Sequence, residues 1–279
     1  MRVENNIAVL GAQQKKNVTA MEQTNRRLST VLEKLATGNR INRARDDAAG
    51  LAISEGLISQ SRGFRAATRN VQDAVSAYNI ADGASNETAN ILQRQRELAA
   101  QARNATLNAG DREVLNREFQ QLNQEIERIS DSTNFNRLNL TNGQGFSDGN
   151  AQVQAGSDGN EMITAPQIDL SVQALGMLGT DISTIDGANA AFASVDSAIN
   201  AVSEQRSTIG AMTNRLESTI RNLQTADVNT TAAQSVIRDQ DMALGIAEMV
   251  KNQLLEETSR SAFSIFNRIS ADHILGLIR

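Results

Sequence analysis

The sequence predicts a mainly α-helical protein: a long antiparallel helical bundle or coiled coil, with a small tip that contains a β-hairpin and with terminal helices that pair on assembly. Pro166 is the only proline among 279 residues. Because proline breaks helix interiors, its scarcity permits very long helices. Aromatic residues make up 3% of the chain and tryptophan is absent, so the apolar side chains are mostly of the small and aliphatic kinds that suit closely packed helices.

The first helix is predicted over residues 4–36. Apolar side chains recur there at intervals of three, four and seven residues, which is typical of an amphipathic helix with a coiled-coil-like seam. Gly38 stands just beyond the last apolar residue, where a C-cap glycine is expected.

A second helix is predicted over residues 47–104, and its length again favours a coiled coil or a bundle. Asp46 and Asp47 supply an N-cap and first-turn acids at its start. Gly110–Asp111 indicates a break and a new N-cap for a third helix, which ends near Asn134.

The middle of the chain, residues 141–190, has a different character. Eight of the 18 glycines lie between Gly143 and Gly187. The segment contains six acidic residues and no lysine or arginine, so its net charge is −6. The net charge of the whole chain is −5, so the rest of the chain is close to neutral. Short apolar runs at 151–155 and 162–170, separated by turn residues, predict turns and a β-hairpin or two.

Helical periodicity returns at about Asn189, and a last helix is predicted after Asp227, running to Arg279. The simplest packing folds the chain back on itself, with the first and last helices paired at one end and the tip at the other. We therefore divide the chain into an N-terminal helix and junction (1–45), a helical bundle with its tip (46–235) and a C-terminal helix (236–279).

Both terminal helices carry apolar faces that a lone pair of helices can bury only in part. Exposed apolar stripes mark partner contacts, although both ends could instead dock on the chain's own bundle. The positions expected to carry self-assembly are Ile7, Leu10, Leu28, Leu32, Leu35, Ile246, Val250, Phe263, Phe266 and Leu277.

Composition excludes several classes of function. Cysteine is absent, so disulfide and thiol chemistry are excluded. No stretch approaches the roughly 20 apolar residues of a membrane span, and the N-terminus lacks the apolar core and cleavage site of a signal peptide. The sequence has neither the basic surface nor the aromatic stacking residues that are typical of nucleic-acid-binding proteins. No cofactor is implied.

No catalytic or metal site is predicted. His273 is the only histidine, so no second histidine can join it in a catalytic or a metal-binding site. Adjacent carboxylates such as Asp46–Asp47 at a helix start are caps more often than metal ligands. Asp239 and Asp241 are expected to form ion pairs on the helix surface or within the bundle.

Several long blocks resemble the bacterial flagellins. LATGNRINRARDDAAGLAI (Leu35–Ile53) is similar to the family's signature between its first and second helices. The likeness continues in RNVQDAVSAYNIADGASNETANILQRQRELAAQA (Arg69–Ala102), EIERISDSTNFNRLNL (Glu125–Leu140), IGAMTNRLESTIRNL (Ile209–Leu223) and VIRDQDMALGIAEM (Val236–Met249). Together these blocks cover residues 1–140 and 190–255.

The resemblance implies a secreted structural subunit that is exported without a cleaved signal and polymerises through its terminal helices into the flagellar filament. The short middle implies a minimal form without extra outer domains. The expected partners are other copies of the chain, an export chaperone, and the cap and hook-junction proteins. Arg40, Arg43 and Arg45 are expected to contact stacked subunits, and a solvated loop is the alternative. The C-terminal end, SRSAFSIFNRISADHILGLIR, departs from the family pattern because it contains two phenylalanines and no proline.

The resemblance also implies a host partner. QRQRELA (Gln93–Ala99) is similar to the helix by which many flagellins engage the Toll-like flagellin receptor of animals. Matched by motif, Arg94 and Leu98 fall on receptor-contact positions, and Glu118 on the next helix falls on a third. Residues 94 and 98 are four apart, so we expect them to share a helix face.

Two alternatives remain open at this stage. A hook–filament junction protein shares terminal segments with flagellin, but the long blocks at 35–53 and 93–99 favour the filament subunit. A coiled-coil signalling hairpin of the chemoreceptor type needs a tight turn at its tip, which an acidic glycine-rich segment of about 50 residues does not provide.

Overall fold

A computed structural model describes the backbone of residues 2–143 and 152–278 and the side chains of residues 11–143, 152–269 and 271. Within those ranges the chain forms five helices and two small antiparallel hairpins, which confirms the predicted fold class. In chain order the elements are α1 (Arg2–Thr37), α2 (Ala48–Ala102), α3 (Ala109–Ser132), β1 (Asn134–Phe135), β2 (Leu138–Asn139), β3 (Gln152–Gln154), β4 (Met162–Thr164), α4 (Ile185–Arg238) and α5 (Met242–Ile278).

The chain divides into two compact units. The terminal unit combines Met1–Ser59 with Thr230–Arg279, and the central unit is Gln60–Asn229. The boundaries predicted at 45/46 and 235/236 lie inside the terminal unit. No turn residue marks the observed division, because α2 and α4 are each continuous helices that contribute to both units.

The ends of α1 and α2 follow local capping chemistry. Gly38 follows α1 with a φ of +71°, a left-handed conformation that glycine adopts without steric cost. Asp47 caps α2, since its Oδ1 accepts the N–H of Gly50 at 2.8 Å. Asp46 is not a first-turn acid: its Oδ2 accepts the backbone N–H groups of Asn42 and Arg43 in the preceding loop, and these hydrogen bonds lower the pKa of its carboxyl group.

The start of α3 corrects one prediction. The N-cap is Asn108, not Asp111: the Asn108 side chain accepts the N–H of Asp111, and the Asp111 carboxylate accepts the N–H of Asn108. This reciprocal capping box places Asp111 at the third helical position. Gly110 therefore lies inside the helix rather than at a break.

The second half of the chain corrects two more predictions. No break follows Asp227, because α4 runs on to Arg238, and the chain turns only before Met242. Asp239 and Asp241 make no ion pair that the structure describes. Asp239 accepts a hydrogen bond from Ser235 Oγ, and Asp241 caps α5 by accepting the N–H groups of Ala243 and Leu244.

The core of the central unit is built on heptad seams. On α2 the buried positions alternate in steps of four and three: Ala67, Val71, Ala74, Tyr78, Ala81, Ser85, Thr88, Leu92, Gln95, Ala99 and Ala102. On α4 a matching series, with Gln205 half-buried and the rest buried, comprises Ala188, Ala191, Val195, Ala198, Val202, Gln205, Ile209, Met212 and Leu216. Phe119 and Ile126 on α3 belong to the same core, as do Leu140 and apolar residues between 163 and 182.

The predicted hairpin is present as β3–β4, with Val153 paired to Ile163. The strand β4 ends at Thr164, and the apolar residues that follow, including Ile168 and Leu170, are buried in the core. There the backbone forms only an isolated antiparallel bridge, between Asp169 and Asn142. A second hairpin, β1–β2, was not predicted. Its two turn residues, Asn136 and Arg137, have φ angles of 51° and 67°, as in a type I′ turn.

Candidate assembly surface

The helices α1 and α5 pack against each other in the terminal unit. The half-covered side chains of α5 recur in steps of four and three: Met249, Asn252, Glu256, Ser259, Phe263 and Phe266, with Gly245 fully covered. Those of α1 form a matching series of Met21, Thr24, Leu28, Val31 and Leu35. A Cβ added to Gly245 would lie 2.7 Å from Leu35 Cδ2, so a larger residue at this end of the seam would require the Leu35 side chain to shift.

The seam does not use all of the apolar side chains of α5. Large apolar residues outside it keep between 42% and 59% of their surface exposed: Met242, Leu244, Ile246, Val250, Leu254, Leu255, Ile265 and Ile269. We call this set the open face of α5. Part of it forms an open groove of about 570 Å³, lined by Ala247, Val250, Lys251, Leu254, Leu255 and Thr258.

The structure sorts the predicted self-assembly residues into two groups. Leu28, Leu35, Phe263 and Phe266 are half-covered in the α1–α5 seam. Leu32, Ile246 and Val250 are exposed to 45%, 49% and 44%. Ile7, Leu10 and Leu277 lie outside the described side chains. Within the described side chains, pairing of the two helices therefore leaves nearly half of the surface of each residue in the exposed group uncovered.

The junction between α1 and α2 is tied to the junction between α4 and α5. The Arg40 N–H donates to the Arg238 carbonyl oxygen at 2.6 Å, and the Gln240 N–H donates to the Gly38 carbonyl oxygen at 2.8 Å. Arg238 in turn donates to Glu55 at 2.8 Å. Sequence reasoning missed the roles of Arg238 and Gln240, because a backbone pairing across about 200 residues leaves no local pattern.

The three junction arginines have different partners. The Arg40 guanidinium donates to the Ile237 carbonyl oxygen at 2.7 Å, at the end of α4. Arg43 forms an ion pair with Glu33 at 2.9 Å. Arg45 has only a loose pairing with Asp46 at 3.8 Å and a 64% exposed side chain. Arg45 is therefore the most available of the three for a contact outside the chain.

Arg94 and Glu118 are brought together across α2 and α3, whereas Leu98 points into the core. Arg94 donates to Glu118 Oε1 from Nε at 2.9 Å and from Nη2 at 2.8 Å, and to Glu97 at 3.0 Å. These bonds raise the pKa of Arg94. Leu98 is 1% exposed, so the expected apolar anchor at the surface is absent: this position lies beside the α2 seam, three residues after Gln95 and four before Ala102, and is buried in the core with them.

The described residues contain no group of three or more histidine, cysteine, aspartate or glutamate side chains placed to hold a metal ion. His273 lies outside the described side chains. Across the same described part of the chain, no helix combines the length and hydropathy that a membrane crossing requires.

Two protein-family models match most of the chain. Residues 9–145 match the model described as "Bacterial flagellin N-terminal helical region", and residues 192–277 match the "Bacterial flagellin C-terminal helical region". The second match extends through the C-terminal end whose composition departs from the family pattern.

Individual proteins agree with the family models. A flagellin of Halalkalibacterium halodurans is 44% identical over 89% of this chain and 90% of its own length. A flagellin of Bacillus subtilis is 37% identical over the whole of both chains. Among solved structures, Bacillus cereus flagellin is 33% identical, covers 60% of this chain and 94% of its own, and has a TM-score of 0.50. A flagellar hook-associated protein of Vibrio parahaemolyticus, at 13% identity, covers 69% of this chain and 99% of its own with a TM-score of 0.54, which shows only a shared fold.

Proposed function

This chain belongs to the bacterial flagellin family, and on that premise we propose that α1 and α5 are the elements through which its copies join one another. The protein is a structural subunit of the extracellular flagellar filament, which serves motility, and it is not an enzyme. Its 279 residues are consistent with a minimal flagellin.

The observation that carries the proposal is the open face of α5. Exposed apolar side chains there recur along a helix that is already paired with α1. Fully burying one large apolar side chain contributes about 1.5–3 kcal/mol, so a row of them against neighbouring subunits can offset the entropy lost when the helices become ordered. Contacts repeated without closing generate a helical polymer.

The seam and the open face would then have different roles. Leu28, Leu35, Phe263 and Phe266 hold the helix pair together, whereas Leu32, Ile246 and Val250 face neighbouring copies. We assign Ile7, Leu10 and Leu277 to assembly on their sequence periodicity alone. Arg45 contacts a stacked subunit, while Arg40 and Arg43 act mainly within the chain.

We propose further partners on the family resemblance. An export chaperone covers the apolar ends before secretion, and the cap and hook-junction proteins contact the two ends of the growing filament. The Toll-like flagellin receptor of animals contacts the Arg94–Glu118 pair, with Leu98 supporting the position of that pair from the core.

Deletion of residues 250–279 tests the assembly proposal. The truncated chain retains every residue of the central unit and should remain soluble and largely helical by circular dichroism, yet it should form no filaments on seeding with sheared wild-type filament. Normal filaments from the truncated chain, seen by electron microscopy, would show that α5 is not the assembly element.

A further inference from the structure

The central unit carries two exposed surfaces of opposite charge. One lies near the C-terminal end of α2 and includes Arg96, Arg103 and the Phe192 ring. The other is the turn of the β3–β4 hairpin, with the carboxylates of Asp158 and Glu161. We call them the arginine surface and the acidic turn.

Two guanidinium groups share a single ring on the arginine surface. The Cζ atoms of Arg96 and Arg103 lie 4.9 Å and 4.7 Å from the Phe192 ring centroid, within cation–π range. Arg96 is neutralised by Asp196 at 2.5 Å. Arg103 donates to the neutral amide oxygen of Asn189 at 2.6 Å, and its described contacts include no carboxylate. One positive charge is therefore held in place, exposed and uncompensated.

The acidic turn carries an excess of negative charge. Asp158 and Glu161 are both exposed, and neither has an ion pair in the described part of the chain. The Glu161 carboxylate lies against Gly156 and accepts a hydrogen bond from the Asp158 N–H. Met162, the next residue, is 47% exposed and adds apolar surface beside the two acids.

The two surfaces lie far apart along the same helix. The turn residue Ser157 packs on Gly63 of α2 so closely that a Cβ at Gly63 would lie 2.8 Å from the Ser157 Cβ. Gly63 precedes Arg96 by 33 residues and Arg103 by 40. At a rise of ~1.5 Å per residue, the acidic turn and the arginine surface are separated by roughly 50–60 Å along α2, so they cannot neutralise each other within one copy.

We propose that the acidic turn of one subunit contacts the arginine surface of the next, which forms a head-to-tail contact within the filament. The inference rests on the filament function proposed above. Opposite surfaces roughly 50–60 Å apart along one helix are complementary only between copies, and a heterologous contact of this kind does not close on itself but propagates. Such charge complementarity sets register and direction as well as affinity.

Charge reversal on the full-length chain tests the contact. The first variant is Arg103→Glu, and the second combines Asp158→Arg with Glu161→Arg. Each alone juxtaposes like charges, so its critical concentration for seeded polymerisation should rise at least about tenfold. An equimolar mixture should polymerise close to the wild-type level, because each reversed surface then meets an oppositely charged one.

Two controls separate assembly from folding. Each variant should melt as a monomer close to the wild-type temperature, and Arg128→Glu, a reversal on the exposed Arg128–Glu125 pair of α3, should polymerise normally. Rescue in the mixture supports the contact. Normal polymerisation of the single-surface variants, or failure of the mixture when both monomers melt normally, would overturn it. In either of those outcomes, wild-type filaments show that the filament function still stands.

Discussion

The guanidinium Nε of Arg112 donates to the backbone carbonyl oxygen of Ala102 at 2.8 Å, and its Nη2 donates to that of Asn104 at 2.9 Å. Arg112 lies on α3 and is 7% exposed. The last carbonyl groups of a helix have no partner within it, and they favour a nearby cation. One side chain of α3 therefore caps the C-terminus of α2 and fixes the connection between the two helices.

Replacing Arg112 should weaken the central unit. Arg112→Ala removes two hydrogen bonds from a charged donor, including the one to the carbonyl oxygen of the buried Ala102, so the free energy of unfolding should fall by about 2–3 kcal/mol. Arg112→Lys should recover little, since an ammonium group cannot reproduce the planar donor geometry. Denaturant unfolding followed by circular dichroism measures both. Arg128→Ala, at an exposed arginine of the same helix, should leave the midpoint unchanged, and an equal loss there would contradict the capping role.

The carboxylate of Asp227, in the central unit, should make the free energy of unfolding depend on pH. Asp227 accepts hydrogen bonds from Ser61 Oγ at 2.5 Å and Arg65 Nε at 2.9 Å, and these contacts lower its pKa below the ordinary value of 3.8. A carboxyl group whose pKa is lowered in the folded state stabilises that state. The stabilisation is complete when the pH is above the pKa of the same group in the unfolded chain. This contribution is lost as the pH falls through the lowered folded value.

The Asp227→Asn variant should therefore melt below the wild type at pH 7, and the difference should shrink as the pH is lowered from 4 toward 2. Melting temperatures at several pH values measure this convergence. Glu217→Gln, at a more exposed carboxylate of the same helix, provides the control. A difference between wild type and Asp227→Asn that stays constant down to pH 2 would show that the carboxylate contributes nothing through its charge.

The helix boundaries could be predicted closely where local chemistry marks them. The predicted ranges 4–36 and 47–104 differ by one or two residues at each end from Arg2–Thr37 and Ala48–Ala102, because Gly38 and Asp47 act locally. The false break at Asp227 has a different cause. The following stretch is polar and its Val228 is 66% exposed, so periodicity fades although the helix continues.

Features set by tertiary contacts were not predictable from the sequence. The β1–β2 turn has Arg137 where glycine usually signals a type I′ turn. On α5, apolar residues surround much of the helix, so the sequence does not show which face meets α1. The inward position of Leu98 was also not predictable from the heptad pattern, because residue 98 lies beside the α2 seam positions Gln95 and Ala99 and its burial depends on tertiary packing.

The two faces of α5 should respond differently to substitution. Ile246→Ser combined with Val250→Ser removes apolar area that is already exposed, so the monomer should melt as the wild type does while its critical concentration for polymerisation rises. Leu28→Ala combined with Phe263→Ala lies in the seam and should reduce the helix content of the monomer. Circular dichroism and seeded polymerisation separate the two effects. Unchanged polymerisation of the serine variant would remove the open face from the assembly surface.

Recognition by the Toll-like flagellin receptor should depend on Arg94 and Glu118 directly and on Leu98 only through folding. Arg94 is half exposed and its guanidinium is fixed on Glu118, so it presents an ordered charge pair at the surface. Arg94→Ala should reduce the response of receptor-bearing reporter cells to monomeric protein at least several-fold without changing the melting temperature. Leu98→Ala should destabilise the monomer by about 2–5 kcal/mol, since it leaves a cavity in the core.

The matched control for this prediction is Arg128→Ala, which removes a comparable exposed arginine from an ion pair with glutamate on α3 and should leave the response intact. If Leu98→Ala lowers the response only at temperatures where the monomer begins to unfold, while Arg94→Ala lowers it in the fully folded protein, then Leu98 supports the site from beneath. A folded monomer of wild-type sequence that gives no response at micromolar concentration would exclude the receptor as a partner. That result would leave the filament function untouched, because the same residues could then serve only contacts between subunits.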